Sequence, residues 1–238
     1  MDRTIINRLG RGLSLLTVNN PKIEKSLSLG YATAGLSLAP AWESGHNTCP
    51  NHSTECSAAC LFFAGRGAMK KTQDARIART KMFFEDRDKF LNLLNSDIYI
   101  FVHLCREYGL QPALRLNITS DIRWERYGIP QRWSDVKFYD YTRLPNRKGI
   151  PINYHLTFSF DSNKIQHCRA ALSNGISVAV PFKVAPKMFL GHQVIDGDEH
   201  DMRWLDPSPC VIGLRPKGRL RSQPDSLFLG DNHPALCA

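Results

Sequence analysis

The stretch SDIYIFVHLCREYGLQPALRLNITSD, residues 96–121, sets the fold class. Ser96 is a helix-capping residue type, the apolar residues after it recur at helical spacing to Tyr108, and Gly109 supplies the stop. Pro112 then opens the run Pro-Ala-Leu-Arg-Leu-Asn-Ile-Thr, in which the period drops to two, and Ser120-Asp121 ends it. A helix that hands directly to a strand ending in polar residues is half of a parallel βαβ unit.

Working outward, residues 69–94 predict another helix. Ala75, Ala78, Met82, Phe90, Leu93 and Leu94 keep three-and-four spacing, and Lys70, Lys71, Arg76, Arg79 and Lys81 take other faces. A strand at 31–40, closed by Pro40, precedes it. Strand-like runs follow at 136–142, 153–160, 177–183, 193–197 and 210–214, with a helix at 164–173 ended by Gly175. The expected fold is α/β, a partial barrel or an open, mainly parallel sheet, with some antiparallel pairing in the C-terminal half where connections shorten. One domain over residues 1–238 is expected, with residues 1–30 as an irregular N-terminal arm and 41–67 as a cysteine-bearing loop.

No run of eighteen apolar residues occurs, and the N-terminus lacks the charged-then-apolar layout of a secretory signal. A soluble, cytoplasmic protein without membrane contact is expected. Seven cysteines cannot all pair, so reduced thiols are expected. The formal charge of +9 favours a polyanionic partner, an anionic small molecule or nucleic acid, or else describes a basic soluble enzyme. Positive charge gathers at 3–11, 66–81, 143–148 and 215–221, and residues 194–206 form an acidic island.

Cys49, Cys56 and Cys60 share the loop C-x6-C-x3-C. Small residues Ser57, Ala58 and Ala59 let such a loop close on a ligand, and three thiolates bind a soft metal centre while leaving a position open. An iron–sulfur cluster is the expectation. A zinc ion completed by His46, His52 or another cysteine (Cys105, Cys168, Cys210 or Cys237), and ordinary buried thiols, are the alternatives. Gly65, Arg66 and Gly67 enter the basic helix and are candidate cofactor-binding residues for a phosphate or carboxylate; a solvated basic face is the plain alternative. At the strand ends, Asp121, Asp140 and His155 are candidate catalytic residues that orient a substrate or move a proton. Capping, ion pairing and a satisfied core histidine are the corresponding plain readings. The acidic segment 196–201 reads as a polar turn around Gly197, with Mg²⁺ or Mn²⁺ as the alternative.

A strand, a three-cysteine loop and then a helix resemble the start of radical S-adenosylmethionine enzymes, with C-x6-C-x3-C in place of the usual C-x3-C-x2-C. That resemblance implies a cluster whose open iron binds S-adenosylmethionine. Leu38-Ala-Pro-Ala41, Cys49-Pro50, Cys56-Ser-Ala-Ala-Cys60, Ala64-Gly-Arg-Gly67, Thr119-Ser-Asp121, Phe138-Tyr-Asp-Tyr-Thr142, Tyr154-His-Leu-Thr-Phe-Ser159 and Val194-Ile-Asp-Gly-Asp198 together resemble a phage-encoded cysteine-cluster family over about residues 30–220. It implies a cysteine site in a host-cytoplasmic protein and no particular reaction. The functional expectation is an iron–sulfur enzyme acting on an anionic substrate such as a nucleotide or nucleic acid. Its alternatives are a zinc-stabilised nucleic-acid-binding or host-interaction protein and a Mg²⁺-dependent nucleic-acid enzyme.

Overall fold

The computed structural model describes residues 3–18 and 26–232. Its strands are β1 (Leu16–Thr17), β2 (Tyr31–Leu36), β3 (Gln111–Arg115), β4 (Lys137–Thr142), β5 (Tyr154–Ser159), β6 (Val178–Pro181), β7 (Met188–Phe189), β8 (His192–Asp196) and β9 (Val211–Leu214). Among the described residues they form one nine-stranded sheet in the order β1-β2-β3-β4-β5-β6-β9-β8-β7. Pairing is parallel from β2 to β8 and antiparallel at the two edges, β1 with β2 and β7 with β8. The sheet is open, so of the two expected forms it is the open sheet and not a barrel. The antiparallel pair β7–β8 falls in the C-terminal half, as the short connections require.

Helices α1 (Arg3–Leu9), α2 (Thr54–Ala58), α3 (Lys70–Glu85), α4 (Arg87–Glu107), α5 (Ile129–Arg132) and α6 (Ile165–Ser173) complete the described regular elements with several 3₁₀ turns. No helix among the described residues is long and apolar enough to cross a membrane.

The helix boundary differs from the one the sequence predicts. The break falls at Asp86, whose side chain accepts a hydrogen bond from Lys89 N and whose φ of −140° leaves the helical region. Apolar spacing continues across it, with Phe83 and Phe90 both buried, so periodicity alone reads through the junction. Ser96 therefore caps nothing; it lies exposed in the middle of the 21-residue α4.

Alternation along the strands gives the sheet two unlike faces. On one face Ala32, Ala34, Leu36, Leu114, Phe138 and Tyr154 pack with Phe90, Leu94, Ile98, Phe101 and Cys105 of α4 in the main core. Farther along the same face Phe158, Val178, Val180 and Val211 pack with Cys168, Ala171 and Leu172 of α6. The opposite face carries Arg115, Tyr139, Tyr141, His155, Thr157 and Ser159, with Ala179, Ile212 and Leu214 beyond them. No described helix of three or more turns packs on it.

Residues 1–30, expected as an irregular arm, contain α1 and β1 in their described part, and Leu9, Leu15, Leu16 and Val18 are buried in the main core. Their anchor is Asp97 of α4, 2 % exposed, whose carboxylate accepts from the backbone N–H groups of Ser14 (2.9 Å), Leu15 (2.7 Å) and Leu16 (2.8 Å). Charge-assisted bonds of this kind are the strong ones, and removing the acceptor strands buried donors. Asp97→Ala is expected to lower unfolding free energy by about 2–4 kcal/mol in urea titration and to speed amide exchange at residues 14–16 first.

A cysteine cavity at the carboxyl ends of the strands

The cysteine loop leaves β2 and folds over the helix-free face. Thr48 Oγ1 donates to Ala39 O (2.7 Å) and Asp121 N donates to Thr48 O (2.8 Å), fixing the loop between two strand ends. Cys49 follows, its Sγ 3.7 Å from Thr119 O. Ser53 caps the five-residue α2 by accepting from Cys56 N (3.2 Å), and Cys60 opens the next 3₁₀ turn, Leu61–Phe63. Cys56 and Cys60 are thus about one turn apart, which puts them on one side of the loop.

All three cysteines line one cavity of about 330 Å³ with His52. Its floor comes from the carboxyl ends of the parallel strands: Arg115 at the end of β3 with Asn117 and Asp121 after it, Tyr141 from β4 and Arg143 just beyond it, Ser159 from β5, and Ala179 and Pro181 from β6. Ligands of parallel α/β sheets bind at this end. Burial pushes the Cys49 thiol up to about 11, with a smaller push from the Cys56 sulfur beside it. Burial likewise raises Cys60, and again Cys56 adds to it while Arg76 opposes it. Cys49 and Cys60 are therefore neutral thiols at pH 7.

His52 Nδ1–H donates to Cys49 O (2.5 Å), so Nε2 is the ring nitrogen not used in this bond. His46 is turned elsewhere: its ring stacks on Phe84 at 4.6 Å and Nε2 meets Glu85 at 3.3 Å. Cys105 and Cys168 are on the buried sides of α4 and α6 in the two helix-side cores, Cys210 is buried on the opposite face with Ala179 and Ile212, and Cys237 lies outside the described residues. Among the described residues, no three His, Cys, Asp or Glu side chains already converge as a metal-ligand set.

The candidate catalytic residues do not come together. Asp121 lines the cavity, but its carboxylate is occupied by Thr142 Oγ1 (2.8 Å) and Arg143 N (2.8 Å). Burial raises its pKa, and these two bonds with Arg147 and Arg143 pull it back. Asp140 lies on the helix-covered face, because strand parity sets it opposite to Tyr139 and Tyr141. It accepts from Asn117 N (2.7 Å), Asn117 Nδ2 (3.1 Å) and Tyr154 OH (2.7 Å), and burial lifts its pKa to about 7. His155 shares the face of Ser159 but sits near the amino end of β5, and it opens onto a second cavity with His167, Trp204 and Asp206.

Gly65, Arg66 and Gly67 are also outside the cavity lining. Arg66 is exposed, and Gly67 is needed for packing: a Cβ there would stand 2.5 Å from Leu61 O. The cations that do line the cavity are Arg115 and Arg143, with Arg215 and Lys217 at its rim. The signal for the first was present in the sequence, an arginine between Leu114 and Leu116 in an otherwise apolar strand. The acidic turn spends its carboxylates on neighbours: Asp198 accepts from Arg215 N (2.8 Å) and Lys217 Nζ (2.7 Å), and Asp201 pairs with Arg115 at 3.3 Å.

A family model described as gene product 88 matches residues 9–229. The chain belongs to the gene product 88 family. This is a phage protein family, in keeping with the phage-encoded resemblance of the sequence. No curated protein and no solved structure matches the chain.

His155 supplies a test of these placements. Burial first, then Lys137 and Arg203, push its pKa down to about 4, and its Nε2 is buried without a partner. A histidine with a depressed folded pKa stabilises the fold above its ordinary value of 6.5, and that stability is lost as pH falls toward 4. Asp140, raised instead, has the opposite sign: its contribution declines as pH rises through about 7. In urea titrations at pH 7 and pH 4, His155→Gln is expected to lose less stability than the parent, by at most about 3 kcal/mol.

Proposed function

We propose that this gene product 88 protein is an iron–sulfur enzyme of the radical S-adenosylmethionine kind, acting on an anionic substrate such as a nucleotide or nucleic acid. One observation carries the reading: three thiols from one twelve-residue segment line a single cavity at the carboxyl ends of sequentially ordered parallel strands. The donor set fits such a centre. It is soft, it is confined to one loop with small residues between the last two cysteines, and each outer thiol feels the sulfur of Cys56. The loop has to draw the three Sγ atoms together and release the protons of Cys49 and Cys60 on loading.

A cluster held by three thiolates supplies one-electron chemistry at an open iron. The chain's own residues then have distinct tasks. Arg115 and Arg143 hold negative charge in the cavity, and Asp121 fixes the mouth by tying β4 to the turn after β3. Phe63, Tyr141 and Phe160 line the walls and exclude water.

A second reading rests on His52. Its Nδ1–H bond to a backbone carbonyl is the arrangement that orients a metal-binding imidazole, and its free Nε2 with three cysteines makes a Cys₃His set for structural zinc. In that reading the protein binds nucleic acid or a host protein through its basic surface and catalyses nothing. Anaerobic purification with iron, sulfide and zinc analysis and an absorption spectrum decides between them. Stoichiometric iron and sulfide that disappear in Cys56→Ala are expected, and S-adenosylmethionine cleavage is then assayed on the loaded protein. Zinc without iron, lost in His52→Ala, replaces the first reading with the second, and absence of all metal overturns both.

A further inference from the structure

Arg143 leaves the end of β4 into the cavity wall with its backbone held at both ends. Its N–H donates to Asp121 Oδ2 (2.8 Å), and its carbonyl accepts from Asn51 Nδ2 of the cysteine loop (3.1 Å). The side chain is 8 % exposed. Nη2 faces Asp161 Oδ2 at 2.5 Å and Ser53 Oγ at 3.4 Å, and the guanidinium lies 5.7 Å from the centre of the Phe228 ring.

Two of its nitrogens, Nε and Nη1, are buried with no hydrogen-bond partner. Buried donors on a charged group are almost always satisfied, and leaving one unmet is costly. A second arginine in the same cavity repeats the pattern: Arg115 pairs through Nη1 with Asp201, lies 4.5 Å from the Tyr141 ring centre, and has an unpartnered buried Nε. Each guanidinium is held by one carboxylate and one ring, with donors to spare.

We propose that Arg143 anchors an oxyanion, a phosphate or carboxylate group of the cavity's ligand, with Arg115 as the second cation. This rests on the cavity being the ligand site proposed above, and it replaces Arg66 and the flanking glycines as the place where negative charge is received. Spare N–H groups on both arginines suit a group with several acceptor oxygens. The volume of about 330 Å³ is at the small end for ligand pockets, so the oxyanion belongs to a small molecule or to one nucleotide unit entering from a chain.

The test is calorimetric titration of the full chain at low salt with inorganic phosphate and, separately, with acetate. Saturable binding of either ion is expected. Preference for phosphate identifies a phosphorylated ligand and preference for acetate a carboxylate one. Arg143→Lys keeps a cation opposite Asp161 but loses the spare donors, and is expected to weaken binding by about tenfold or more. Arg66→Gln is expected to bind within about twofold of the parent, since its side chain makes none of these bonds. If Arg143→Lys does not fold by circular dichroism, Arg115→Lys is read instead, with about threefold weakening expected. No saturable binding of either ion, or binding unchanged in the folded variant, overturns the proposal. Cys56→Ala separates it from the metal reading: oxyanion binding retained there supports the arginine site whatever metal analysis returns.

Discussion

Asp121 joins three segments that would otherwise be independent. Its carboxylate accepts from Thr142 and Arg143 at the end of β4, and its backbone N–H donates to Thr48 of the cysteine loop. Thr119, two residues earlier, donates through Oγ1 to Leu38 O (2.6 Å) after β2. A buried carboxylate is tolerated only when it is well bonded, so these contacts cannot be surrendered singly. The turn that presents Asp121 is itself organised by Asn117, whose Oδ1 accepts from Ser120 Oγ, Ile122 N and Trp124 Nε1. The relative positions of the cysteines and Arg143 follow from this arrangement.

The two faces of the sheet divide the work of the molecule. The helix-covered face is almost entirely apolar, and its aromatic group of Phe83, Phe90, Trp124 and Tyr127 packs in edge-on and tilted contacts. The buried acid on its strands, Asp140, is bonded on both carboxyl oxygens and ties β4 to β5 through Tyr154. The other face keeps polar groups with spare capacity: Thr157 Oγ1, His155 Nε2, Arg115 Nε, Arg143 Nε and Nη1, and Arg203 Nη1 have no hydrogen-bond partner. Such groups weaken a fold, and their concentration on one face is what a binding surface looks like when stability is supplied from the opposite side.

Much of this architecture is legible in the sequence because period-two alternation and turn residues report strand positions directly. Each parallel strand begins close to where its run of residues predicts, whereas β2 and β3 end at Leu36 and Arg115, four residues before the ends the sequence predicts, because the polar and proline-bearing residues that follow turn into the site loops. The site is less legible because its assembly depends on strand parity and on the level along each strand. Asp140 is next in sequence to the cavity residue Tyr141, and His155 shares a strand and a face with Ser159, yet one step of parity sends Asp140 to the core, and four residues of rise place His155 at the wrong end. Arg143 carries no local signature at all. It stands in a basic run with Arg147 and Lys148, and only the tertiary contacts with Asp161 and Ser53 distinguish it. Asp86 is similarly overshadowed, since a short polar cap between two apolar-periodic helices is outweighed by the period itself.

The thiols and the arginines share a cavity that affects their charges unequally. Burial holds Cys49 and Cys60 as neutral thiols, whereas guanidinium groups keep their charge in the same surroundings. An oxyanion on Arg143 would neutralise the nearest cation and so make thiolates beside it harder to form. A metal dication bound there displaces the thiol protons, so the loaded site carries no more positive charge than the neutral thiols it replaces and does not reverse that effect. On the proposed reading the two ligands therefore interact through charge, the anion opposing thiolate formation and the loaded thiolates opposing the anion, by the reciprocity that governs any pair of linked sites. On that reading the loop bearing Cys56, whose Ser53 caps α2 and meets Arg143, is where the two sites touch.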